Sequence, residues 1–213
     1  REKGLAAQTK KAGKVAAEGV SYAIVADNGV GVAIEVNSQT DFVAKNEVFQ
    51  DFVKTLASIV ANEDPADVEA LKACTYPGTD RTVADVTADK VLAIGENIQI
   101  RRFVRYDSGV SVAYNHMNGR IGVLLNMEVS AGLEQNEKVL ELGKDLAMQI
   151  AAMNPAFLDK ADVSQDTLDK EKEIQLAMMA NDPKMAAKPD KVKEGIVMGK
   201  LGKYYEENCL MQQ

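Results

Sequence analysis

The apolar residues first recur at every second position. Val20, Tyr22 and Ile24, then Val30, Val32, Ile34 and Val36, form two such runs with Asn28-Gly29 between them. Successive side chains of a strand point to opposite faces, and Asn-Gly between two alternations is the strongest short hairpin signal. Ser38 to Lys45 reads as a connector and Asn46 as the N-cap of a helix. In that helix Phe49, Phe52, Leu56 and Ile59/Val60 recur at helical spacing to about Ala61, until Asn62-Glu63-Asp64-Pro65 stops it. A short helix near 66–73, a turn at Tyr76-Pro77-Gly78 and a second short helix ending near Gly95 follow. From Asn97 to Tyr106, Ile98, Ile100, Val104 and Tyr106 alternate with Gln99, Arg101, Phe103 and Arg105, which predicts a third strand in the hairpin's sheet.

The pattern then repeats. Asn118-Gly119 stands ninety residues beyond Asn28-Gly29, again between alternating runs: Val110, Val112 and Tyr114, then Ile121, Val123 and Leu125. At the same offset Asn46 matches Asn136, Glu47 Glu137, Phe52 Leu142, Leu56 Leu146, Val60 Ile150 and Pro65 Pro155. Agreement over turn, cap, core stripe and stop points to two homologous ββα halves, each a small antiparallel sheet with a helix on one face. From Ser164 the character changes to a helix as far as about Ala180, breaks at Asn181-Asp182-Pro183 and Lys188-Pro189-Asp190, and a second helix to about Asn208. Apolar stripes run through Leu168, Ile174 and Met178, and through Val192, Ile196, Val197, Leu201 and Tyr204. Two helices with so short a connection fold back as an antiparallel hairpin. An isolated pair buries little, so this arm is expected to lean on a partner or on a second copy of itself; packing on the core is the alternative.

The expected fold class is therefore α+β: two ββα-type halves with small antiparallel sheets, plus a protruding helical hairpin of coiled-coil type. The expected organisation is an N-terminal linker helix over 1–18, a first core half over 19–108, an incomplete second half over 109–163 and the helical arm over 164–213. Arg1, Lys3, Lys10, Lys11 and Lys14 make the N-terminal helix basic, which reads as a solvated face, while Gly4 and Gly13 weaken it.

Composition narrows the function. With 46% hydrophobic and 27% charged residues the chain has enough apolar surface to fold. A net charge of −7 argues against phosphate-backbone contacts, which need an excess of Lys and Arg. Two distant cysteines, Cys74 and Cys209, make neither a metal pattern nor a disulfide framework and suit a reducing cytoplasm. No run of 18 apolar residues and no charged-then-apolar leader calls for a membrane span or a signal segment.

Catalytic chemistry is hard to assemble. The chain contains no G-x-x-x-x-G-K-S/T cradle, and the nearest glycine pair, Gly29 and Gly31, lies in a hairpin. The single histidine, His116, leaves at most one imidazole for base catalysis and no His-rich metal site. Asp85 with Asp89, and Glu171 with Glu173, read as solvated helix faces. No catalytic residue, metal ligand or cofactor site is assigned. One position stands out in the connector Thr40-Asp41-Phe42-Val43-Ala44. An apolar side chain there either caps the local core, the ordinary outcome, or is presented to a partner; Phe49 and Phe52 already fill the core face of the next helix, so Phe42 has no obvious vacancy.

The run Glu35-Val36-Asn37-Ser38-Gln39-Thr40-Asp41-Phe42-Val43-Ala44-Lys45-Asn46 resembles the signature of the bacterial elongation factor Ts family. Arg1-Glu2-Lys3-Gly4-Leu5-Ala6 with Lys10-Lys11-Ala12-Gly13 and Ala17-Glu18-Gly19, then Ile94-Gly95-Glu96-Asn97-Ile98 with Arg101-Arg102, and Tyr114, His116 and Gly119-Arg120-Ile121-Gly122-Val123-Leu124 are similar to it as well. The resemblance implies a guanine nucleotide exchange factor for elongation factor Tu in translation elongation, cytoplasmic and not an enzyme, acting by protein–protein interaction with the GDP-bound and nucleotide-free partner. It implies no direct nucleic-acid or membrane contact and leaves room for a homodimer through the arm. By motif, Phe42 would insert into the partner's nucleotide domain and disturb its Mg²⁺ and phosphate site, within the stretch Thr40, Asp41, Phe42 and Val43. Asp41 would be its polar neighbour, Ile94 and Gly95 a second patch, and His116 a contact from the second half. The family also carries a small N-terminal helical domain and a stretch after the arm that this sequence does not show.

Overall fold

The computed structural model describes residues 2–213, so Arg1 of the N-terminal motif lies outside them. The chain is α+β and divides into two compact units, Arg1–Ala151 and Ala152–Gln213.

In the first unit, α1 (Glu2–Lys11) precedes the hairpin of β1 (Glu18–Val25) and β2 (Gly31–Ser38). A single-turn helix α2 (Asp41–Ala44) leads into α3 (Glu47–Glu63), followed by α4 (Val68–Ala73) and α5 (Val83–Ile94). Then come β3 (Gln99–Tyr106), the second hairpin of β4 (Val110–His116) and β5 (Ile121–Met127), and α6 (Glu137–Met153), whose last two residues fall beyond the unit's end at Ala151. β1, β2 and β3 form one antiparallel sheet in that order, and β4 and β5 form a second.

The alternation along β1 and β2 separates two contacts. Val20, Val32, Ile34 and Val36 are buried together with Phe49, Phe52, Leu56 and Val60 of α3, and Tyr22 and Ile24 pack beside them. The intervening positions, Ser21, Ala23, Gly31 and Ala33, are small, and there the second hairpin comes close. Ser21 N–H donates to Gly119 O at 2.7 Å, and the Asn115 side chain pairs with both backbone groups of Ala23, accepting at 2.8 Å and donating at 2.7 Å. Large residues on one face of the sheet thus build the core, and small ones on the other admit a neighbouring backbone. Gly4 has a similar use in α1: it is the buried residue of that helix, and a Cβ there would meet Ala88 and Asp89 of α5.

Both Asn-Gly dipeptides turn a hairpin, but differently. In the first, Ala26 N–H donates to Val30 O and Gly29 N–H to Ala26 O, with Gly29 at φ 81, so three residues make the turn. In the second, His116 pairs with Ile121 across four residues, and Met117, Asn118 and Gly119 all have positive φ.

The expected alternation of the third strand is corrected by a bulge. The register shifts opposite Glu35/Val36, so that Arg102 faces Glu35 and Ile100 faces Val36, leaving Arg101 as the extra residue. Beyond it the faces exchange: Phe103 packs on the core while Val104 and Tyr106 are exposed.

Helix α3 begins as its cap residue dictates, with Asn46 Oδ1 accepting from Val48 N–H at 2.9 Å and from Phe49 N–H at 3.4 Å. Asn46→Ala is expected to cost about 1 kcal/mol, read as a lower urea midpoint at unchanged slope. No drop in the midpoint would show that the cap is dispensable.

The second unit contains α7 (Gln165–Asn181), α8 (Pro183–Ala186) and α9 (Asp190–Asn208). Helices α7 and α9 pack together, with Met179, Val197 and Leu201 buried. The α7 stripe is corrected by one position, since Met178 and Ile174 are exposed and Met179 faces inward. The compact unit also takes in residues ahead of Ser164. Phe157 bridges Cys209; Ala156 and Phe157 N–H donate to Asn208 O, and Leu210 N–H donates to Phe157 O at 3.0 Å. This backbone pairing ties the start of the unit to its end and buries Cys209 completely.

Candidate functional site

Phe42 does not cap the core. Its side chain is 82% exposed on α2, although the next residue but one, Ala44, is buried and Val43 packs on the core. The connector is therefore a helical turn with two residues facing in and Phe42 facing out. Thr40 caps it, with Oγ1 accepting from Val43 N–H at 3.4 Å. Asp41 forms an ion pair with Lys45 at 2.7 Å, and that hydrogen bond, with the charge of Lys45, holds the Asp41 carboxyl below its ordinary pKa.

The turn is fastened at its entry by Glu96. One carboxylate oxygen accepts from Gln39 N–H at 3.0 Å and Thr40 N–H at 3.1 Å, and the other accepts from the Thr40 hydroxyl at 2.7 Å. Gln39 replies by accepting Asn97 N–H at 2.8 Å. Glu96 follows Gly95, which ends α5 in a left-handed conformation. The second expected patch is thereby joined to the first. Gly95 is exposed, but Ile94 packs against the core, and the large apolar residue exposed at this end of α5 is Leu92.

At the exit of the turn, Gln50 donates from one amide nitrogen to Ala44 O at 3.2 Å and to Asn118 O at 3.1 Å. This ties α2 to the second hairpin's turn, and Asp41, Lys45, Met117, Asn118 and Arg120 line a small cleft there. His116 is exposed at the end of β4, its Nδ1 2.9 Å from the Tyr114 hydroxyl. Met117, beside it, is 66% exposed.

Reading the sequence missed Glu96, Gln39, Gln50 and Met117. Gln39 and Glu96 lie in motifs that mark the family, but nothing in one sequence shows that they bond across the fold. Gln50 carries no signal beyond its place in the first turn of α3.

Among the described residues no three His, Cys, Asp or Glu side chains gather as metal ligands, and no helix is long and apolar enough to cross a membrane. Both cysteines are free, and burial, the main cause in each case, pushes both thiols up from their ordinary pKa. A thiol raised in this way is a poor nucleophile at neutral pH.

The site is thus an exposed aromatic residue on a braced turn over a packed α+β core. The sequence model of the family described as Elongation factor TS matches residues 39–213. Elongation factor Ts of Syntrophotalea carbinolica is 46% identical over 215 residues, covering 100% of this chain and 69% of that protein. Elongation factor Ts of Halothermothrix orenii is 43% identical over 216 residues, covering 100% and 70%, and that of Paramagnetospirillum magneticum 44% over 220 residues, covering 100% and 68%. The chain belongs to the elongation factor Ts family, and the role that comes with that family is in translation elongation.

Proposed function

We propose that this chain is a guanine nucleotide exchange factor for elongation factor Tu, and that it acts by contact alone, without catalytic groups. The observation that carries the reading is Phe42: a large apolar side chain, 82% exposed, on a turn whose neighbours Val43 and Ala44 are anchored in the core. Exposing such a group costs hydration free energy in the free protein, and docking it into a partner recovers about 1.5–3 kcal/mol. Inserted into the partner's nucleotide domain, Phe42 disturbs the Mg²⁺ and phosphate site, and GDP leaves.

Asp41 stands as the polar contact beside this anchor, Ile94 and Gly95 as a second patch and His116 as a contact from the second half, with Thr40 and Val43 seating the turn. Linkage makes the exchange reversible: a factor that weakens GDP binding is itself weakened equally by GDP, so nucleotide re-entry releases it. The site of action is the cytoplasm, where translation takes place, and neither nucleic acid nor membrane is a direct partner.

Release of a fluorescent GDP analogue from elongation factor Tu tests this. The rate is expected to rise with chain concentration towards a plateau, and nucleotide-free elongation factor Tu should be retained on the immobilised chain. A release rate independent of the chain, with no retention, would overturn the proposal.

A further inference from the structure

We infer that Glu96 and Gln50 are positioning residues: they hold the Phe42 turn at both ends and lock it to the other two patches of the proposed contact face. The inference rests on the exchange-factor reading and adds how its key side chain is kept in place.

Helix α2 has four residues, too few to stand alone. A helical nucleus fixes several dihedrals for one hydrogen bond, with a nucleation constant on the order of 10⁻³. Its own backbone bonds are Ala44 N–H to Thr40 O at 3.2 Å and Lys45 N–H to Asp41 O at 3.0 Å. The Thr40 cap, the Asp41–Lys45 ion pair and the Asn46 N–H bond to Val43 O add local restraint, and two side chains from outside the turn hold its ends. At the entry, Glu96 takes two backbone N–H groups and the Thr40 hydroxyl, within 2.7–3.1 Å. Hydrogen bonds to an ionised acceptor are roughly twice as strong as neutral ones. At the exit, Gln50 donates to the free carbonyl of Ala44.

Both braces also reach a second patch. Glu96 stands next to Gly95, the αL cap of α5, and the Gln50 amide bonds Asn118 O in the turn that follows His116. The three patches come from chain segments far apart in sequence, and these two side chains join them. A partner then meets one preformed face, and little ordering is left for the moment of binding.

The test compares exchange curves with amide hydrogen exchange. Glu96→Ala, and Gln50→Glu, which keeps the shape but removes the donor, are expected to raise the half-saturating concentration of chain about tenfold while the plateau rate stays. Phe42→Ala should instead lower the plateau. Glu96→Gln retains an acceptor for the two N–H groups and should restore most of the loss. In the Phe42→Ala background the Glu96→Ala effect should shrink, because a brace that acts chiefly through Phe42 has much less left to place. Protection of the Ala44 and Lys45 amides should fall about tenfold in Glu96→Ala, a readout that stands even if the chain proves to have no exchange activity. Unchanged protection overturns the inference outright. So does a Glu96→Ala effect on exchange that persists undiminished without Phe42, since it would then be structural only. Failure of the wild-type chain to release GDP sinks the exchange reading instead and leaves the hydrogen-exchange result to decide whether Glu96 orders the turn.

Discussion

Phe42→Ala is expected to slow GDP release from elongation factor Tu about thirtyfold or more while the melting temperature stays within about 2 °C of wild type. The first number follows from the loss of a central aromatic anchor, which costs about 2 kcal/mol or more at hot spots. The second follows from exposure. A side chain that is 82% exposed buries little apolar surface in the free protein, and surface changes away from special contacts stay within about 0.5 kcal/mol. At about 2–4 °C per kcal/mol for a protein of this size, that shift is barely measurable.

A residue that capped the core would behave in the opposite way. Leu56, fully buried in α3, provides that contrast: Leu56→Ala should cost about 2–5 kcal/mol of stability, and any loss of exchange should track the unfolded fraction. Measured together, the two variants separate presentation to a partner from packing. Unaltered GDP release by a fully folded Phe42→Ala protein would remove Phe42 from the mechanism.

Much of this arrangement was legible along the chain because it is local. Strand alternation, the Asn46 cap, the Asp64-Pro65 stop and the repeated Asn-Gly each follow from a few neighbouring residues, and each marks an element that the structure contains. What escaped is set by contacts across the fold. Asn-Gly announces a hairpin, but the length of the turn depends on how the strands pair, and the two copies differ. The alternation of the third strand is clear in sequence, yet one extra residue at Arg101 exchanges its faces, because pairing with β2 places the bulge there.

The site shows the same division. Phe42 drew attention through its surplus, a large apolar group beside a helix already supplied with Phe49 and Phe52. That it sits on a helical turn was not readable, since so short a helix has little signal of its own and two of the side chains that bond its ends, Glu96 and Gln50, lie outside it. His116 was expected as a contact and lies at an exposed strand end, while its exposed neighbour Met117 escaped notice among ordinary loop residues. In the arm, Met178 and Met179 are interchangeable by composition, and only the packing of α7 on α9 decides which is buried.

The small residues on the face of the first sheet that meets the second hairpin lead to the other large effect. Gly122→Val is expected to destabilise the core unit by about 3 kcal/mol or more, a fall in melting temperature of about 6–12 °C. A Cβ at Gly122 would lie 2.7 Å from the Ser21 carbonyl carbon and closer still to its oxygen. These are backbone atoms of β1 and cannot rotate aside. The strands must therefore separate, which also strains the Ser21 to Gly119 hydrogen bond and the two bonds between Asn115 and Ala23. Overpacking alone costs about 1–3 kcal/mol, and each broken bond at a partly buried site adds about 1 kcal/mol. The penalty is one of space and not of backbone conformation, because Gly122 is absent from the positive-φ glycines. Gly195, inside α9 with nothing within 4 Å of a Cβ, supplies a control of opposite sign. Gly195→Ala should stabilise its helix by about 0.5–1 kcal/mol. Thermal melts of the two variants decide the matter: a Gly122→Val protein that melts with the wild type would mean that β1 and β5 do not approach as closely as Ser21 and Gly122 indicate.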